Sequence, residues 1–246
     1  MMRLLAEFKK QNRNDSRESD ANAMPAPKIS TDANGFADTF RKAQRHLTRR
    51  DPLLGQLIKR VGPCTLQPGG EAFPLLVRAI ISQMISTKVA KTIAARVEAA
   101  LLPDGLVPAA VAAAKDSVLR SAGLSGAKVL ALKDLAQKAL SGELPLERLS
   151  DMSDDEVIAS LVSVRGIGRW TAEMFLIFSL GRLDVLPVDD LGLRAGVRDV
   201  YELTDLPGRT ELRERGEIWR PYRSIATWYF WRSRGAVPQS KSEPEA

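Results

Sequence analysis

The residues best equipped for chemistry are Asp189 and Asp190, which follow Pro187 and open the helical pattern LGLRAGVRDV. A carboxylate in the opening turn of a helix suits electrostatic stabilisation of developing positive charge better than strong basicity. Consecutive helical residues point about 100° apart, so one of the pair can face a site while the other caps the helix. Spacing alone leaves either residue in either role. About twenty residues upstream, Gly166-Ile167-Gly168 interrupts two helical patterns, and glycine's tolerance of positive φ permits a tight reversal there. The amides of Gly166, Gly168 and the following turn are then left without helical partners at the positive end of a helix dipole. That is an anion site. A nucleic-acid phosphate fits it, with Arg169 adding charge and Thr171 a hydroxyl; taken alone, GxG is more often an ordinary helix-helix turn.

The elements that must position these groups read as helices throughout, giving an all-α fold. Ser153 and Glu156 form a capping box, so a helix starts there, carries Val157, Ile158, Leu161 and Val162, and stops near Arg165. Trp170 to Leu180 resumes with Met174, Phe175, Ile177 and Phe178. Upstream, Phe36 to Val61 predicts two helices broken around Asp51-Pro52, and Pro63 to Gly70 a loop. Phe73 to Leu102 is the longest pattern, with Phe73, Leu76, Val77, Ile80, Ile81 and Met84 at i, i+3, i+4, i+7, i+8 and i+11. Polar residues at Ser82 to Ser86 break it, which predicts a kink or short loop before a second helix from Thr87. Ala109 to Ala122 and Ala127 to Leu140 are two more helices around Gly123-Leu124-Ser125-Gly126, an αα-turn in which Lys128 is the alternative phosphate contact. Six aromatics (Trp219, Tyr222, Trp228, Tyr229, Phe230, Trp231) crowd the last segment and pack it on the core.

At 246 residues and 44% hydrophobic content the chain can bury a sizeable core. Three segments are expected: a disordered tail over 1–34, one helical domain over 35–236 and a polar tail over 237–246. The first fifty residues carry 11 basic and 6 acidic side chains and the remainder 25 and 24, so a binding surface in the folded part must come from local clustering. No 18-residue apolar run and no signal-peptide core occur, which predicts a cytoplasmic protein without membrane contact. One cysteine, Cys64, excludes an internal disulfide and an iron-sulfur cluster. The one histidine, His46, lies among Arg41, Lys42, Arg45 and Arg49 and reads as part of a solvated basic face.

The hairpin, the Gly/Pro loop and the aspartate about twenty residues on resemble the helix-hairpin-helix DNA glycosylases. GIGRWTA with LPVDDLGL is most similar to the alkylated-base branch, DNA-3-methyladenine glycosylase II. IISQMISTKVAKTIAARV and IWRPYRSIATWYFW match further, so the similarity runs from about Phe73 to Trp231 in the family's order. The resemblance implies two helical subdomains with a cleft between them, double-stranded DNA as partner and a monomer in action. It places the catalytic carboxylate on Asp190 and the base pocket on Trp170, Met174 and Trp231. It makes Met84 a wedge inserted into the DNA stack, where periodicity alone reads a core methionine, and Gln83 a probe of the opposite strand or of the vacated gap. Arg223 and Ser224 are expected to buttress Asp190 or the backbone. Bifunctional relatives carry a Schiff-base lysine where Trp170 stands, so strand cleavage is not expected. No cofactor is required, although backbone carbonyls of Val162, Val164 and Ile167 match a monovalent Na+ or K+ site.

The implied reaction breaks the bond between sugar and base. An extruded alkylated purine such as 3-methyladenine or 7-methylguanine is cationic, so it stacks well on indoles and needs little acid catalysis to leave. Its departure builds oxocarbenium character that a carboxylate can offset. Deaminated or mismatched bases are the alternative substrates, and a noncatalytic DNA-binding module the alternative outside enzymes.

Overall fold

The apolar stripes collapse into twelve α-helices, with no β-strand among the described residues. The computed structural model describes residues 33–235. The expected C-terminal tail and nearly all of the N-terminal one lie outside that range; residues 33 and 34 belong to the first helix. The helices are α1 (Ala33–Arg50), α2 (Pro52–Val61), α3 (Ala72–Ser82), α4 (Thr87–Ala100), α5 (Pro108–Ala113) and α6 (Asp116–Ser121). After them come α7 (Gly126–Ser141), α8 (Asp154–Val162), α9 (Arg169–Phe178), α10 (Leu191–Val200), α11 (Arg209–Gly216) and α12 (Arg223–Ser233).

Local chemistry sets the starts. Asp51 accepts from the Leu54 amide at 3.0 Å with Pro52 in the first turn of α2, and Ser86 and Ser125 cap α4 and α7 through their hydroxyls. The Ser153–Glu156 capping box opens α8 as expected. Each such cap contributes about 1 kcal/mol.

One expected helix is two. Ala109 to Ala122 divides into α5 and α6, because Ala114 and Lys115 adopt extended backbone (ψ 136 and 140). The Lys133 ammonium of α7 donates to the carbonyls of Ala112, at 2.8 Å, and Ala114 at this break. An alanine-rich pattern carries no sign of a distant lysine that takes up its freed carbonyls.

Two groups of helices result. In one, α3 packs on α4, α7 and α9, with α5 and α6 against α7 and α8 against α9; in the other, α1, α2 and α10 surround α12. The terminal helix α12 is enclosed over Ser224 to Trp231, where Trp228, Tyr229, Phe230 and Trp231 are at most 2% exposed. Asp51, itself 3% exposed, ties the second group together, accepting from Trp219 Nε1 at 2.8 Å and from the Tyr201 hydroxyl. His46 corrects its expected solvated setting, since its ring is half-buried and meets Tyr222 edge-on at 5.3 Å. Cys64 is buried without a disulfide partner, and burial pushes its thiol up to about 12.

Candidate active site and nucleic-acid interface

Asp190 sits where the two helix groups meet. It is the N-cap of α10, and its carboxylate accepts three N–H donors: Leu193 N (2.6 Å) and Trp231 Nε1 (2.8 Å) on Oδ1, and Trp170 Nε1 (2.8 Å) on Oδ2. An ionised carboxylate is acceptor-only, so this set of donors complements the anion and fixes its orientation. The expected division of labour between the aspartates is therefore revised. Asp189 does not cap the helix; it is exposed and pairs with Arg209, while Asp190 both caps and faces the indoles.

The tryptophans also differ from each other. Trp170, in the first turn of α9, is 44% exposed, leaving much of its ring free, with Met174 half-buried one turn further on. Trp231 is 1% exposed and stacks on Phe178 at 5.7 Å, so it stands behind the carboxylate rather than as an open pocket wall. Its position in the buried stretch of α12, Ser224 to Trp231, is the reason. Gly192 makes this closeness possible: a Cβ there would stand 3.1 Å from both Asp190 Oδ1 and Trp231 Cδ1. Nothing in the sequence marked Gly192. Arg223 and Ser224 do not touch Asp190: Arg223 donates to the Asp184 carboxylate and to the Asp184 carbonyl, each at 2.7 Å, and the Ser224 hydroxyl donates to the Arg182 carbonyl and accepts from Val185 N.

In the hairpin only Gly166 uses positive φ (78°); Gly168 is extended at φ −95°, which any residue adopts. A Cβ on Gly168 would meet nothing, and no side chain caps the first turn of α9. The Arg169 side chain is 60% exposed and pairs with Glu173 at 3.0 Å. Thr171 turns inward and is 8% exposed, which removes the hydroxyl expected at the anion site.

Between α3 and α4, Met84 is 100% exposed at φ 60°, so the core-methionine alternative fails. A non-glycine residue in that region is strained, and such strain persists only where its surroundings over-determine it. Gln83 donates from Nε2 to the Gly166 carbonyl at 2.8 Å, joining this turn to the hairpin. Lys128 does not reach outward for a phosphate; its ammonium donates to the carbonyls of Ile81 (2.7 Å) and Gln83 (2.9 Å). Of the carbonyls at Val162, Val164 and Ile167, that of Val164 accepts from Ile167 N at 3.1 Å, and Lys138 occupies the neighbouring Ser163 carbonyl at 3.0 Å. Oxygen donors suit a hard monovalent cation, so the donor type fits.

Glu173 went unread in the sequence. Its side chain is 5% exposed, and burial raises its carboxyl above the ordinary glutamate value, with Arg169 opposing and Asp189 and Asp190 reinforcing the rise. Ionising it therefore favours the unfolded chain: stability falls as pH rises from the ordinary value of 4.5 through the raised folded one. Glu173→Gln should leave the thermal midpoint unchanged below that window, raise it progressively through the window and hold a constant gain above it, read from melting curves at a series of pH values. A midpoint gain independent of pH would contradict the assignment.

Comparison with known proteins agrees with this geometry. DNA-3-methyladenine glycosylase 1 of Schizosaccharomyces pombe is 35% identical over 206 residues, 81% of this chain and 90% of that one. The solved S. pombe 3-methyladenine DNA glycosylase bound to abasic DNA superposes with a TM-score of 0.71 at 34% identity, covering 81% of this chain and 100% of the other. The DNA-3-methyladenine glycosidase of Bacillus halodurans gives 0.72 at 35% identity, over 78% and 89%. Residues 77–221, which hold the exposed methionine, the hairpin and Asp190, match the family described as HhH-GPD superfamily base excision DNA repair protein, and the chain belongs to that superfamily.

Proposed function

We propose that the chain is a monofunctional DNA glycosylase that extrudes alkylated bases, 3-methyladenine and 7-methylguanine among them, from duplex DNA and hydrolyses their N-glycosidic bonds. The observation that carries this reading is the Asp190 carboxylate, oriented by two indole N–H groups with one of the indoles exposed beside it. A protein that only grips the DNA backbone has no use for such a carboxylate. The names of the relatives support it: those of S. pombe and B. halodurans are named for 3-methyladenine, and the S. pombe glycosylase is seen on abasic DNA.

Each residue then has a task. The open face of Gly168 lets a phosphate approach the bare first-turn amides of α9, with Arg169 beside it. Met84, fully exposed on its strained turn, fills the gap left by the extruded nucleotide. The extruded cationic base stacks on Trp170, worth roughly 1–3 kcal/mol. As the bond from C1′ to the base nitrogen breaks, the electron pair leaves with the base and Asp190 offsets the charge on the sugar. Water adds to C1′, loses its proton to solvent and leaves an abasic site. A Na+ or K+ on the carbonyls of Val162, Val164 and Ile167 would steady the hairpin, and no step runs through it.

The test is release of free base from methylated duplex DNA, with uracil- and hypoxanthine-containing duplexes in parallel. Methylated purines should appear and the deaminated bases should not. Position 170 offers an indole and no amine, so borohydride should trap no covalent adduct; a trapped adduct would overturn the monofunctional assignment.

A further inference from the structure

α7 touches both DNA-facing devices along one face. Lys128 at its start holds the carbonyls of Ile81 and Gln83, beneath Met84. Ala131 lies against Gly166, whose absent Cβ would come within 3.3 Å of it. Asp134 Oδ2 accepts the Arg165 amide at 2.7 Å, and Lys138 donates to the Ser163 carbonyl at 3.0 Å. These four residues fall at i, i+3, i+6 and i+10, on one side of a helix, and span about 15 Å at the helical rise. The circuit closes through Gln83, whose amide donates to the Gly166 carbonyl.

We propose that α7 is a strut that sets the distance and orientation between the Met84 turn and the phosphate-facing hairpin, with Lys128 and Asp134 as positioning residues. The turn and the hairpin engage the same DNA at two points, so the wedge enters the stack in register only while the hairpin is seated. An ammonium is needed at Lys128 because the end of α3 presents carbonyls with no helical donor, and the strained φ of Met84 needs those carbonyls pinned. Asp134 performs the complementary task, accepting a hairpin amide.

The proposal deepens the glycosylase reading and rests on it for its catalytic consequence, but its structural part is measured without DNA. A nitroxide attached through M84C reports the mobility of the turn, and the buried Cys64, with its thiol pushed up to about 12, stays unlabelled. K128M should sharpen the electron paramagnetic resonance line of that label, K128R should restore it, and D134A should sharpen it too, through Gly166 and Gln83. In otherwise native protein, K128M should slow single-turnover release of methylated base about tenfold, a barrier increase of about 1.4 kcal/mol, while affinity for undamaged duplex holds. Combined with M84A it should add little further loss, because both changes disable one device. An unchanged line in K128M and D134A, or losses that multiply in the double variant, would overturn the strut. Should the native chain release no methylated base, the glycosylase reading falls while the spectroscopic comparison still decides for or against the strut.

Discussion

Asp190→Asn should cut single-turnover base release by roughly three orders of magnitude while leaving the protein folded and able to bind an abasic duplex. The size follows from charge: at about 4 Å and an effective dielectric near 20, a carboxylate and an oxocarbenium-like sugar attract by about 4 kcal/mol, and each 1.36 kcal/mol is tenfold in rate. Folding survives because asparagine caps helices as well as aspartate, so Leu193 N keeps its acceptor on α10. The amide cannot serve all three donors. If its oxygen stays with Leu193 and Trp231, its NH2 group faces the Trp170 N–H, and the exposed indole swings away. Asp189→Asn, by contrast, breaks only a surface pair with Arg209, worth about 0–1 kcal/mol, and should excise at close to the native rate. Excision by D190N at the native rate, or a severe loss in D189N, would reverse the assignment of the two carboxylates.

Sequence exposed those features whose cause is local. The capping box at Ser153, the proline after Asp51, the glycine at 166 and the polar break at Ser82 to Ser86 each act within a few residues, and each element appears where its residues lie. Features that depend on partners distant in the chain were misread or missed. Thr171 has the right chemistry for an anion site and Trp231 for the wall of a base pocket, but the faces of α9 and α12 that carry them point inward. Lys128 read as an alternative phosphate contact and Lys133 drew no reading, yet both serve carbonyls freed by helices about twenty to fifty residues earlier. The roles of Asp189 and Asp190 could not be separated by spacing, because two adjacent carboxylates before a helix satisfy the same capping pattern; the structure distinguishes them by the Leu193 amide and by the indoles, at separations of 20 and 41 residues. Glu173 was passed over because a glutamate in a helix is most often solvated, and burial is not written in its neighbours.

Gly196→Ala should both destabilise the fold and slow base release by about 100-fold, although the change improves intrinsic helix propensity by about 0.5–1 kcal/mol. The contest is between propensity and packing. A Cβ at position 196 would stand 2.5 Å from the Phe230 carbonyl oxygen, 2.9 Å from its Cβ and 3.0 Å from its carbonyl carbon. Two of those atoms are backbone of α12 and cannot rotate aside, so α10 and α12 must part by several tenths of an ångström. Overpacking of this kind costs about 1–3 kcal/mol, which exceeds the gain and should lower the thermal midpoint by a few degrees. The consequence for catalysis follows from what the two helices carry. Asp190 caps α10 and Trp231 follows Phe230 on α12, so the displacement falls on the 2.8 Å bond between them and turns the carboxylate away from its set orientation. Thermal melting and single-turnover kinetics on the same preparation decide the matter. A raised midpoint would mean that propensity prevails and that α10 and α12 have room to spare, and an undiminished rate would mean that the Trp231 contact does not orient Asp190.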